Sequence, residues 1–179
     1  MSYQDALTEE IVTALNLFHK ACLISSLRRI WFRFLGSDNC LFDMKQVTDN
    51  MEMIGWGYSG VQNIPIGRIV GAEDACYEFD SGFFPLRDCC KTRWLQAALE
   101  YQTDLPPQPI VLTQINSHYY VQEGIYRISV TRARGRNQIS AYVNCLKLLD
   151  EKDRLATRYT ASKVLTEGMD RSLIGTPQI

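Results

Sequence analysis

LPPQPIVLTQINSHYYVQEGIYRISVTRARG, residues 105–135, is the stretch that decides the fold. Leu105-Pro106-Pro107 ends the helix expected before it, because proline has no amide proton and biases its predecessor toward extended backbone. Gln108 to Ile115 is rich in β-branched residues and predicts a strand. Asn116-Ser117 supplies a tight turn, and His118 to Gln122 returns as an aromatic strand, so the segment predicts a hairpin. Gly124 then opens a helix to about Arg134, closed by Gly135 at the position where helices favour a left-handed glycine. Gln138 to Val143 follows as a further strand.

Toward the N-terminus, Thr92 to Gln102 places Trp94, Leu95, Ala98 and Leu99 on one side of an amphipathic helix. Glu73 to Asp88 reads as irregular, with turn signals at Asp80-Ser81-Gly82 and Pro85, and Asn63 to Val70 as a first strand. Gly55 to Gly60 carries too much glycine for regular structure and predicts a loop, and Leu41 to Ile54 predicts a short helix. Thr8 to Phe34 keeps helical spacing through Val12, Leu15, Phe18, Cys22, Leu27, Ile30, Trp31 and Phe34, as one long helix or two in succession, with Thr8 as N-cap. Its Leu15, Phe18, Cys22 and Trp31 are expected to pack on the main domain or on a second copy, because leaving them in water is unfavourable. Arg28, Arg29 and Arg33 beside Trp31 and Phe32 admit a membrane-surface or nucleic-acid helix, but core packing with cations near the negative helix end is the simpler reading. Beyond the strand, Asp150 to Glu167 predicts a polar helix and 168–179 a loose tail. The division expected is a helical extension over 1–60, an α/β (α+β) domain with a compact mixed sheet over 61–149, and a C-terminal helix and tail over 150–179.

Composition narrows the function. The chain has 179 residues, 46% of them hydrophobic and 22% charged, which suffices for one real core. A net charge of −1 gives the whole no electrostatic reason to seek nucleic acid or acidic lipid, so any anion site must be local. Acids within Met1 to Glu10 do not suit a secretory signal, and no stretch of eighteen uncharged apolar residues exists, so a cytoplasmic protein with no membrane span is expected. The six cysteines include no Cys-x-x-Cys pair and only His19 and His118 could join them, so no zinc site is expected and Cys89-Cys90 reads as buried, reduced thiols.

The chemistry concentrates at Glu123-Gly124-Ile125-Tyr126-Arg127. A strand that turns directly into a helix at a glycine leaves backbone N–H groups unpaired, and the helix dipole adds roughly half a positive charge at the same place. An anion fits there, and the planar guanidinium of Arg127 can reach it from one turn away. The bland alternative is that Gly124 only permits the turn and Arg127 is a solvated or salt-bridged helix residue. Glu123 can hold a metal, act as a base or pair with Arg127, and pairing comes first because a lone carboxylate is a poor catalytic set. Tyr126 can stack on a base or sugar or simply pack. Arg132, Arg134 and Arg136 are spread around the helix and its exit, which suits a solvated surface better than a nucleic-acid stripe.

The ordered set of a Gln108-Pro109-Ile110 strand, hairpin, Glu123-Gly124-x-x-Arg127 helix, Gly135 and a following strand resembles the ParB/sulfiredoxin superfamily over roughly residues 64–143. It looks most like the bacterial branch in which the motif reads Asp-Gly-His-His-Arg. The resemblance implies a compact α/β domain whose helix start holds nucleotide phosphates, with Gly124 and Arg127 at phosphate, Gln108 near the nucleotide, and ATP or CTP with magnesium as the ligand. The chain departs from the pattern at Ile125 and Tyr126, where ParB has an acid used in CTP hydrolysis and the other branch has histidines, and it lacks the sulfiredoxin cysteine. The expectation is therefore a nucleotide- or phosphate-binding protein with little or no catalysis, at most a slow nucleoside triphosphatase or small-molecule kinase. The alternative is a non-catalytic interaction or homo-oligomerisation module with a decayed pocket, partnered through the N-terminal helix. DNA binding or nuclease action is the weakest reading, because no helix-turn-helix follows the domain and no carboxylates pair.

Overall fold

A computed structural model describes residues 3–49, 53–74, 77–101 and 107–148. Among them the chain is mixed α/β, with four helices and one six-stranded mixed sheet. In chain order the elements are α1 (Tyr3–Phe34), β1 (Phe42–Asp43), α2 (Met44–Thr48), β2 (Met53–Pro65), β3 (Ile69–Ala72), α3 (Lys91–Glu100), β4 (Ile110–Ile115), β5 (His118–Glu123), α4 (Ile125–Ala133) and β6 (Gln138–Leu148). The sheet runs β1-β3-β5-β4-β6-β2. β5 pairs antiparallel with β4 and parallel with β3, whereas β6 pairs parallel with β4 and antiparallel with β2.

The hairpin and the helix behind it lie where the quoted stretch puts them, and the next strand starts at Gln138 as expected but runs past Val143 to Leu148. Asn116 turns the hairpin at φ 55°, an angle asparagine tolerates better than most residues. Gly135 takes φ 75° just beyond α4, and its N–H bonds back to the Arg132 carbonyl at 2.9 Å.

The long N-terminal helix forms and ends at Phe34 as expected, and the differences lie mainly between Leu41 and Val70. The helix expected over Leu41 to Ile54 is a two-residue strand, a five-residue helix capped by Asp43 and the start of β2. The glycine-rich stretch from Gly55 to Gly60 is not a loop. It lies inside β2, held in register against β6 from Gly55 opposite Lys147 to Tyr58 opposite Asn144. Ladder hydrogen bonds to a distant strand outweigh the weak strand preference of glycine, and Gly60 at φ 80° sits in the irregularity between Tyr58 and Val61. Position 60–61 therefore falls within a continuous strand. The strand expected from Asn63 to Val70 is interrupted by a 3-10 turn at Ile66–Arg68, which separates β2 from β3. Thr8 does not cap α1. The helix begins at Tyr3, and the Thr8 hydroxyl donates to the Gln4 carbonyl at 2.8 Å within it. The helix expected from Asp150 to Glu167 lies outside the described residues.

One face of the sheet carries the main core. Ile110, Leu112, Val121, Ile139, Ala141 and Val143 point from the strands against Ile128 of α4, Trp94 of α3 and Phe18 of α1. The Phe18 and Trp94 rings meet edge to face, with centroids 5.3 Å apart. On α1 the inward positions are Ala14, Phe18, Ala21 and Ser25, whereas Trp31, expected to pack, is exposed. Asp80 anchors the far half of α1. Its buried carboxylate accepts from Arg28 Nε at 2.7 Å, from the N–H groups of Gly82 and Phe84 at 2.9 and 2.8 Å, and from Asn39. A smaller cluster of Met44, Ile115, Tyr120 and Leu146 lies apart from the main core.

Candidate functional site

The antiparallel β4–β5 pair brings the C-terminal end of β5 beside the start of β4, with Glu123 opposite Val111. The chain then passes into α4 through a single residue, Gly124, at φ 98° and ψ 23°. A left-handed conformation strains any residue with a Cβ. A second constraint acts at the same place, since a Cβ built on Gly124 would stand 2.5 Å from Ile110 Cγ2 and 2.9 Å from Ile110 Cβ. Glycine here is imposed by both the turn and the packed neighbour.

Arg127, one turn into α4, donates from Nη1 to the Gln108 carbonyl at 3.4 Å. Its ion pair is with Glu100 at the end of α3, 3.5 Å from Nε to Oε2, and not with Glu123, which is exposed at the end of β5. Three expected residues, Gln108, Gly124 and Arg127, thus share one end of the β4–β5 hairpin. No signal along the chain marked Glu100, because its approach depends on how α3 lies on α4.

Ile125 is buried in the main core, which follows from its position on the inner face of α4. Tyr126 is half-buried, its ring edge to face with Phe79 at 5.4 Å and its hydroxyl donating to Glu78 Oε2 while accepting from Arg93 Nη1 at 3.3 Å. Burial, and then the hydrogen bond to Glu78, pushes this phenol up to about 12. Of the two alternatives for Tyr126, packing describes its position here. Ser129 is buried and accepts from Trp94 Nε1 at 2.8 Å, tying α4 to α3. Arg132 bonds Asn137, and Arg134 bonds the carbonyls of Tyr101 and Ala98, so two of the three remaining arginines finish the exit of α4. Arg136 is exposed and lines a cavity of about 590 Å³ with Gln108, Tyr101, Thr131, Gln138 and Ser140. Gln108 therefore touches both the Arg127 side and this cavity, a second concavity that no sequence motif marked.

Among the described residues, no three of His, Cys, Asp and Glu come together in a way that could hold a metal ion. Of the two adjacent thiols expected to be buried, only Cys90 is, and burial pushes it up to about 12, whereas Cys89 is exposed. No helix among the described residues is long and apolar enough to cross a membrane.

The class these features define is a mixed α/β protein with a six-stranded sheet and a glycine-hinged strand-to-helix junction. Searches against family models, curated proteins and solved structures match nothing.

Proposed function

We propose that this chain is a ParB/sulfiredoxin-like protein that binds a nucleotide or another phosphate-bearing ligand at the start of α4, with little or no catalysis. The observation that supports the reading is the direct passage from β5 into α4 through left-handed Gly124, with Arg127 and Gln108 in contact beside it. The first amides of a helix entered this way have no intrahelical acceptor, and they meet an anion along the positive end of the dipole. Arg127 adds a charged fork, and its present contacts at 3.4 and 3.5 Å lie at the outer edge of hydrogen bonding, so a phosphate can compete for it.

Weak catalysis follows from the same residues. Ile125 is a buried aliphatic and the Tyr126 hydroxyl is committed to Glu78, so neither orients a water or a hydroxyl nucleophile. The described residues hold no cluster of carboxylates to cage magnesium, so the ion would arrive held by the phosphates, and Glu123 is the motif's own carboxylate to meet it.

The test is calorimetry with ATP, CTP and inorganic phosphate, with phosphate release measured alongside in magnesium, with and without free serine. Arg127→Ala should weaken binding by about 1.5–3 kcal/mol, the loss of charge-assisted hydrogen bonds, and Arg136→Ala should change it little. Equal losses from both would replace a defined site with diffuse charge. Turnover near roughly 1 per second, abolished by Glu123→Gln, would overturn the non-catalytic part.

The alternative of a non-catalytic interaction module is favoured by a separate observation, the row of large apolar side chains that α1 leaves in solvent.

A further inference from the structure

α1 is apolar on two opposite sides. Its inner row, Ala14, Phe18, Ala21 and Ser25, advances by four, three and four residues and is buried against the domain. Leu23, Leu27, Ile30 and Phe34 advance by the same steps, nine positions later, and are 66%, 67%, 56% and 87% exposed. Nine residues are about two and a half helical turns, which puts the second row on the side facing away from the core. Trp31 and Leu35 widen it, and the last two turns of the helix line a groove of about 680 Å³.

We propose that this outward row is a self-association surface, on which α1 of a second copy packs antiparallel about a two-fold axis between Leu27 and Ile30. The step pattern is that of a coiled-coil seam, whose knobs fit the spaces on a facing helix. The row is also self-complementary. An antiparallel partner sets Leu23 opposite the second Phe34 and Leu27 opposite the second Ile30, so one patch meets itself and the contact closes at two copies.

Area agrees with this. The exposed parts of these six side chains amount to roughly 800 Å² per copy, the amount one partner contributes to a standard stable interface. Charge argues against a lipid surface as occupant. Between Glu10 and Asp38 the helix and its end hold Lys20, Arg28, Arg29 and Arg33, but Arg28 is spent on Asp80. Among the described residues that leaves three cations on this helix without an ion pair, short of the four to eight that usually recognise anionic headgroups. The inference stands independently of ligand binding at the start of α4, since a dimer can form with or without it.

Sedimentation equilibrium of the full chain from about 1 to 100 µM tests it, the range in which a standard-size interface holds. The expected mass is twice 20.5 kDa. Leu27→Glu and Ile30→Lys should each return the monomer mass by raising the dissociation constant roughly a hundredfold or more. An equimolar mixture of the two should recover the dimer, because the antiparallel arrangement sets Glu at 27 against Lys at 30 and leaves the other Leu27–Ile30 pair intact. Both positions face solvent in the single chain, so each monomeric variant should melt near the native chain diluted below its dissociation constant, and only the native chain should gain in melting temperature with concentration. A native chain that is monomeric at 100 µM overturns the proposal, and so does a monomer that pellets with phosphatidylglycerol vesicles. Variants that stay dimeric, or a mixture that stays monomeric, overturn the antiparallel seam.

Discussion

Replacing Gly124 with alanine tests the junction on which the candidate site depends. Two separable costs are expected. Holding a residue with a Cβ at φ 98° costs on the order of 1–2 kcal/mol. The new methyl also stands 2.5 Å from Ile110 Cγ2 and 2.9 Å from Ile110 Cβ. Ile110 is fully buried in the central strand, so it has little room to yield, and forcing a methylene into a packed core costs about 1–3 kcal/mol more. The sum, about 2–5 kcal/mol, is a large part of the 5–15 kcal/mol that ordinarily holds a domain together. Gly135→Ala is the internal control, because Gly135 has a similar φ of 75° but nothing within 4 Å of an added Cβ. Urea unfolding followed by tryptophan fluorescence should give a larger loss for Gly124→Ala than for Gly135→Ala, by about 1–3 kcal/mol. Combining Gly124→Ala with Ile110→Ala should destabilise less than the two singles added together, because the clash is counted once too often in the sum. Equal losses at the two glycines, or strict additivity with Ile110→Ala, would refute the claim that Ile110 enforces glycine at the start of α4.

Asp80→Ala should cost about 3–5 kcal/mol in the same assay, since it strips a buried carboxylate from Arg28 Nε, Asn39 and two backbone N–H groups together. A loss under about 1 kcal/mol would show that α1 does not depend on this anchor. The raised Tyr126 phenol makes stability depend on alkaline pH. The folded value of about 12 lies above the ordinary 10, so its contribution is complete below pH 10 and is lost as pH rises toward 12. Spectrophotometric titration should show a phenolate step near 12 that Tyr126→Phe removes, and an unchanged titration curve would contradict the Glu78 contact.

The sequence by itself determined the segment from Gln108 to Val143. A tight turn between two β-branched or aromatic runs, a glycine at a strand-to-helix junction and a glycine at a helix end are local constraints, each acting within a few residues. They also placed Gln108, Gly124 and Arg127 at one end of a hairpin. Tertiary structure decided β2, because the strand state of Gly55 to Gly60 comes from hydrogen bonds to β6, more than eighty residues away at Gly57 opposite Cys145. It decided the partners of the motif as well. Arg127 meets Glu100 and Tyr126 meets Glu78 through the docking of α3 and of the irregular segment on α4, and no spacing along the chain encodes such approaches. For α1 the sequence announced a helix and supplied apolar residues for two faces, but could not say which face the domain would bury. The fit of Phe18 against Trp94 and of Arg28 onto Asp80, 52 residues away, turned one row inward and left Leu23, Leu27, Ile30 and Phe34 in solvent.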